Sequence, residues 1–335
     1  MTHIRNGLRS GTPAANHRHV LSRRGFCLCC SAAVATAAGG VWPGPREAFA
    51  ASQNLVDQFR AAAADAPITT YDLRGGIAVL EGSGGNIAVL TGPDGKVFID
   101  AGITASRPRI LEAANALGPE PITRLVNTHW HFDHADGNEW LAGEGAAILA
   151  HANTAKHLTE AQRVEDWDFD FPPAPPPAVP AETFTGNTSL TANGTTLELR
   201  SYAPAHTDSD IAVTFVESDI LHTGDTYWNG IYPFIDYSTG GSIDGMIAAA
   251  DANLALAGAS TIVIPGHGHP VSDRAGLAAF REMLVGTRDA VAALKREGRS
   301  LAETVAAKPT APFDAVWGQF VITPDFYTRL VYEGV

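Results

Sequence analysis

Cysteine is nearly missing from this sequence. Its only three, Cys27, Cys29 and Cys30, fall within the first fifty of 335 residues. A chain starting at Ala51 therefore has no disulfide, no thiolate metal ligand and no cysteine nucleophile. Long apolar runs are absent too. Beyond the first fifty residues no stretch approaches the ~20 uninterrupted apolar positions of a membrane helix, so the mature chain is expected to be soluble, without membrane insertion. Positive charge is scarce as well. Six of the 23 Lys/Arg and one of the 36 Asp/Glu precede residue 51, leaving 17 bases against 35 acids and a net charge of −18 for the rest. That field repels DNA and RNA, and no nucleic-acid partner is expected. Apolar residues are abundant at 45%, enough for a full core over one large domain or two small ones.

The first fifty residues have their own pattern. Ser22 precedes Arg23-Arg24, Phe26 follows, a small-residue apolar run extends to Gly40, and Ala48-Phe49-Ala50 offers a small-x-small cleavage site. The segment resembles a twin-arginine export signal. The resemblance implies the twin-arginine translocase as a partner during export, cleavage near Ala50 and a periplasmic mature protein.

Residues 51–69 read as a linker with a helix over 52–64. Three short strands follow, at 77–81, 86–91 and 96–100, joined by a glycine-rich turn and by Pro93-Asp94-Gly95 as an antiparallel meander. The pattern then predicts a helix over 106–117, a strand over 122–127, a strand at 146–151 and a helix over 152–163. Residues 166–180, aromatics alternating with aspartates before a proline run, suggest a stiff surface connection, with a lid over a nearby site as the functional alternative. Strands between 188 and 222 turn at Asn193-Gly194. Helices are expected at 243–257, with Ser242 as N-cap, and at 273–296, with the strand Thr261–Pro265 between. Short helices at 300–307 and 324–333 form a C-terminal extension over 297–335. Strand and helix alternating after a meander give an α/β chain of mixed sheets covered by helices.

The chemistry concentrates in NTHWHFDHADGN, residues 127–138, at the end of a predicted strand. Alternate residues of an extended segment share a face, so His129, His131 and Asp133 can point together while His134 turns away into the next helix. Neutral imidazole and carboxylate are the ligands Zn²⁺ accepts where cysteine is lacking. Further candidates stand at later strand ends: His206, Asp225 and His267.

Asp100 in FIDAG, the HWHFDH cluster, His206, Asp225 and His267 stand in the order of the five signature stretches of the metallo-β-lactamase superfamily, which the chain resembles from about Thr70 to Arg296. The resemblance implies an αββα sandwich of two mixed β-sheets flanked by helices, with a catalytic domain over 70–296. It also implies two Zn²⁺ ions, with iron or manganese as alternatives. His129, His131 and His206 would hold the first, and Asp133, His134 and His267 the second. Asp225 would bridge them, and Asp100 would support the ligand loop from behind. Three neutral histidines leave Zn²⁺ an open position and its full charge, enough to bring the pKa of bound water near ~7. Hydrolysis of a polarised carbonyl follows, with hydroxide attacking while the second metal, ligated by Asp133 and Asp225, receives the leaving group.

Other residues refine this reading. His151 and His157 are expected to cap a helix or face solvent, His222 to be a satisfied core histidine, and His269 to be an outer support of the site. Tyr227, Trp228, Tyr232 and Phe234 are candidates for an apolar substrate wall, with Asn229 as an oxyanion donor. One large group of true β-lactamases carries a cysteine where Asp225 stands and a lysine where Trp228 stands. An aspartate there is the pattern of glyoxalase II-like thioesterases, lactonases and phosphodiesterases. Lactonases place a tyrosine at the position of Trp228, and the basic residues Lys295, Arg296, Arg299 and Lys308 match no clear glutathione-holding motif. The H-x-E-x-D cluster of flavodiiron proteins is absent. The expectation is a periplasmic dinuclear zinc hydrolase of a small ester, lactone, thioester or amide. A β-lactamase is the first alternative, and a mononuclear iron oxygenase or quinoprotein partner the second.

Overall fold

The computed structural model describes residues 55–335; the export signal expected in the first fifty lies outside them. The chain enters through a helix, Leu55–Ala63. Strands β1 (Thr69–Asp72), β2 (Ile77–Glu81), β3 (Ile87–Leu90) and β4 (Lys96–Ile99) then pair antiparallel in succession. After the helix Arg107–Ala116 the topology changes. Strands β5 (Ile122–Val126) and β6 (Ala147–His151) continue the sheet in parallel. A small hairpin, β7 (Gln162–Val164) and β8 (Phe169–Phe171), stands apart, and β9 (Glu182–Phe184) closes the seven-stranded sheet beside β6.

The second sheet has five strands: β10 (Thr188–Ala192), β11 (Thr195–Ser201), β12 (Ile211–Phe215) and β13 (Ile220–His222), antiparallel, and then β15 (Ile262–Ile264), parallel to β13. Asn193 (φ 53°) and Gly194 (φ 71°) make the β10–β11 turn in left-handed conformations, as their side chains allow. Two short strands, β14 (Trp228–Asn229) and β16 (His267–Gly268), pair in parallel beyond the sheet.

Burial explains the four layers. Val79, Leu90, Val97 and Ile99 of the first sheet meet Leu197, Leu199, Val213, Phe215 and Ile264 of the second in one apolar cluster. The opposite face of the first sheet, with Leu80, Val89, Phe98 and Leu125, packs on Ile110, Trp140 and Leu141 from helices. The opposite face of the second, with Ala212, Leu221 and Val263, packs on Met246 and Ala250 of helix Ile243–Leu256 and on Leu277, Phe280 and Leu284 of helix Arg274–Arg296. The result is the expected αββα arrangement. Ser242 caps the first of these helices through the Gly245 N–H. The C-terminal helix Pro324–Glu333 joins the same core through Tyr327, Leu330 and Val331.

Two local expectations are corrected, and one strand was not anticipated. The helix predicted to 163 ends at Thr159, and Gln162–Val164 is a strand. Residues 166–180 are not a plain surface connection, because Trp167, Phe171 and Ala178 are buried. Strand β1, an exposed four-residue edge, carries no apolar alternation that would announce it.

Candidate metal centre

Strand ends gather the site. β13 and β15 run parallel with His222 opposite Ile264, so Asp225 and His267, each three residues further on, emerge at the same edge. Likewise β4 and β5 run parallel with Ile99 opposite Val126, which sets Asp100 beside the start of the 127–134 loop. His206 comes from the β11–β12 loop.

The side chains form three overlapping groups: His129, His131 and His206; His129, His134 and Asp225; and Asp133, His134 and His267. Within each group the ligand atoms lie within 4.8 Å of one another. Asp225 stands between the outer two. Its carboxylate lies 3.4 Å from His206 Nε2 and 3.8 Å from His129 Nε2 on one side, and 3.1 Å from His134 Nε2 and 3.3 Å from His267 Nε2 on the other. Asp133 Oδ2 lies 3.1 Å from His267 Nε2. Space at Asp225 depends on Gly266, where a Cβ would fall 2.0 Å from Asp225 Oδ1.

Hydrogen bonds on the far side of each ring fix which nitrogen faces inward. His206 Nδ1–H donates to the Phe234 carbonyl (2.8 Å) and His131 Nε2–H to Asp236 Oδ2 (3.0 Å). Thr128 Oγ1 donates to Asp100 Oδ2 (2.8 Å) and so accepts from His129 Nδ1–H at 3.0 Å. The remaining nitrogens of the three-histidine group are then lone pairs pointed at one another: His131 Nδ1 and His206 Nε2 are 2.9 Å apart, and His129 Nε2 is buried without a hydrogen-bond partner. Facing lone pairs repel unless a cation sits between them, so the donor set fits a metal ion. Burial holds His129 and His131 below the ordinary histidine range, which keeps them unprotonated.

The second group differs. Burial would lower His134 and His267, but the carboxylates of Asp225 and Asp133, with Asp100 adding to them at His134, outweigh it. His134 is held well above the histidine range and His267 is raised to about 9. A bound ion would compete with protons at these nitrogens.

Asp100 lies behind the 127–134 loop. At a left-handed φ of 67° it accepts from the Thr128 N–H (2.7 Å), Thr128 Oγ1 and His134 Nδ1 (2.8 Å), tying the ligand loop to β4. Two further aspartates were not anticipated. Asp236 takes His131 Nε2–H and is itself fixed by Thr239 Oγ1 and the Ser238 N–H. Asp210 accepts from the backbone N–H of His206 and Thr207 and from Thr207 Oγ1, holding the His206 loop. Their signal is slight, an aspartate four residues after His206 and another two after Phe234.

The remaining candidates separate. Trp228 packs against His267 with its ring tilted by 40° (ring centroids 4.2 Å), and Phe234 lies 6.1 Å from both His131 and His206. Tyr227 packs on Phe280 and bonds Ser272, and Tyr232 stacks on Tyr327 and bonds Asp314, so both belong to the core rather than to a wall at the cluster. Asn229 donates to the His269 carbonyl and accepts from Tyr227, which commits its amide. His269 is exposed and its Nδ1 pairs with Val271. His222 is a satisfied core histidine, donating to the Asn86 carbonyl and accepting from the Gly224 N–H. His151 caps a helix as expected, whereas His157 is buried against Trp130 and bonds Asp208 instead of facing solvent.

A four-layer αββα fold with histidines and aspartates converging at the strand ends defines a class of metal-binding proteins. The chain belongs to the metallo-beta-lactamase superfamily, whose family model matches residues 80–289. Among curated proteins it is similar to a hydroxyacylglutathione hydrolase of Rhodospirillum rubrum, 29% identical over 160 residues, which are 47% of this chain and 52% of the relative. The chain thus spans about half the length of that relative. Among solved structures it is similar to the inverting sec-alkylsulfatase Pisa1 from Pseudomonas sp., with a TM-score of 0.61 and 16% identity, covering 84% of this chain and 54% of that one. A metallo-beta-lactamase of Cronobacter sakazakii aligns with a TM-score of 0.57 and 22% identity, over 71% and 98% of the two chains.

Proposed function

We propose that this protein is a dinuclear zinc hydrolase acting on the carbonyl of a small ester, lactone, thioester or amide. The observation that carries this reading is Asp225, whose carboxylate lies within 3.1–3.8 Å of histidine nitrogens from both groups and so can serve two ions at once. When bound, the ions supply Lewis acidity and bring a water molecule's pKa toward neutrality. The chain's own contribution is orientation. Asp236, the Phe234 carbonyl and the Thr128–Asp100 pair lock three imidazoles with their lone pairs inward. Asp133 and Asp225 add negative charge on the second side, where a harder ion and a departing group are best accommodated. The hydroxyacylglutathione hydrolase relative supports a thioester or ester, while the β-lactamase alternative is weakened by Asp225 and Trp228 at the positions of the cysteine and lysine. The same reading includes export through the twin-arginine route and cleavage near Ala50, to be checked by N-terminal sequencing of the periplasmic protein.

The test is turnover of a lactone, a thioester and a chromogenic cephalosporin by the zinc-loaded mature protein. Hydrolysis of the first or second, abolished in His131→Ala, supports the reading. Cephalosporin turnover alone would move the β-lactamase alternative forward, and no turnover of any would count against a hydrolase.

A further inference from the structure

The β7–β8 hairpin supplies none of the grouped candidate ligands. It carries Trp167, nearly buried at 9% exposure, to the three-histidine group. The indole lies 5.0 Å from the His131 ring, stacks on Phe234 at 4.8 Å and 29°, and meets Phe132 edge-on at 5.9 Å. Two contacts hold it there. Arg329 of the C-terminal helix pairs with Asp166, and the Glu165 N–H donates to Ser238 Oγ at 3.1 Å. Ser238 belongs to the same turn that positions Asp236 behind His131, so hairpin and ligand are set by one element.

The cover is one-sided. The side chains of His129, His131 and His206 are at most 2% exposed, whereas Asp133 and His267 keep 16% and 12%. A group spanning both halves meets water on the Asp133 side and indole on the other. Charge sharpens the contrast. Residues 162–171 hold four acids and a single base, Arg163, which is engaged by Glu165, Asp168 and Asp170. Arg60, over the rings of Phe132 and Phe169, is paired with Asp136, and Arg329 is paired with Asp166. An anionic substituent would find these cations already occupied and acids around it.

We propose that Trp167 is a specificity-determining residue, and that the substrate places an uncharged apolar group of aryl or branched-alkyl size against it. This rests on the metal-dependent hydrolase reading for the reaction but on the hairpin for the choice of substrate. The experiment separates the two by measuring binding alongside turnover. Phenylmethanethiol and mercaptoacetate, which share a metal-binding sulfur and differ in an apolar or anionic end, are titrated calorimetrically into the zinc-loaded mature protein. The same samples are assayed with phenyl and carboxylate-bearing thioesters. Phenylmethanethiol is expected to bind at least about tenfold tighter, the scale of one good apolar contact. Trp167→Ala should remove that preference and Trp167→Phe should keep most of it, with zinc content unchanged. Should Trp167→Ala fail to fold, Trp167→Leu takes its place. Equal or tighter binding of mercaptoacetate, or a preference unchanged in folded Trp167→Ala or Trp167→Leu, would overturn the proposal. Retained thiol preference without thioester turnover would support Trp167 and sink only the hydrolase reading.

Discussion

At the scale of single residues, the inward-facing nitrogens matter because each is fixed by a partner on the other side of the ring. Asp236→Ala would leave His131 Nε2–H buried without an acceptor. The expected result is a loss of about 1–3 kcal/mol in stability and a roughly 10- to 100-fold weaker hold on the first ion, read by urea melts and competition with a chelator. Unchanged zinc affinity would show that His131 is oriented by something else. Gly266→Ala tests the bridge from a different direction, since its Cβ would meet Asp225 Oδ1 at 2.0 Å and the Gly224–Asp225 backbone at 2.6 and 2.8 Å, shifting the segment that carries Asp225. Metal binding by both groups should fall together, and loss from one group alone would argue against a shared carboxylate. The grouping of candidate ligands was legible in the sequence, because metal chemistry favours histidine and aspartate gathered at strand ends, and the fold brings those side chains together. Asp236 was not, because it meets His131 across 105 residues of sequence and nothing in either neighbourhood marks the pairing.

Among elements, the strands that aim the site announce themselves through apolar runs and turn residues, which is why β2 to β6, β10 to β13 and β15 stand close to their predicted positions. The hairpin that covers the site does not. Trp167, Phe169 and Phe171 alternate with acids as in a strand, but the prolines that follow imply an open connection, and only tertiary packing shows the indole buried on Phe234. Tyr227 and Tyr232 illustrate the reverse error: aromatic residues next to a ligand suggest a wall, while their backbone directs them into the core. The Arg329–Asp166 pair is predicted to hold the hairpin closed. Burial raises Asp166 above the usual carboxylate range, and Arg329 opposes that rise. Arg329→Gln should therefore cost about 1–2 kcal/mol, a partly exposed pair being worth less than a fully buried one, and should speed protease cleavage within 162–171. A cleavage rate equal to that of the unsubstituted protein would show that Trp167 packing alone keeps the hairpin in place.

For the whole molecule, the concentration of charge at one edge links metal, protons and stability. Without metal, His267 is protonated up to about pH 9 because Asp225 and Asp133 outweigh its burial, and His134 is shifted in the same direction. In the unfolded chain both titrate near the ordinary value of about 6.5. The folded form therefore binds extra protons between these limits, and the stability they confer is complete below about pH 6.5 and lost as the pH rises through about 9. His129 and His131, shifted the other way, oppose this trend only at its lower end, where their unfolded forms still titrate near about 6.5, and leave the fall toward pH 9 unchanged. The metal-free protein should show a melting temperature that falls by several degrees from pH 6.5 to 9. Zinc-loaded protein should lose that slope, because ions replace the protons; a slope identical with and without zinc would contradict the linkage. No helix among the described residues is long and apolar enough to cross a membrane. The most direct test of the central claim is the metal stoichiometry of the purified protein, measured by elemental analysis. Two zinc ions per chain, falling together in Asp225→Ala, is the result predicted here. A single iron per chain, bound equally well in that variant, would contradict the dinuclear site and with it the hydrolytic function.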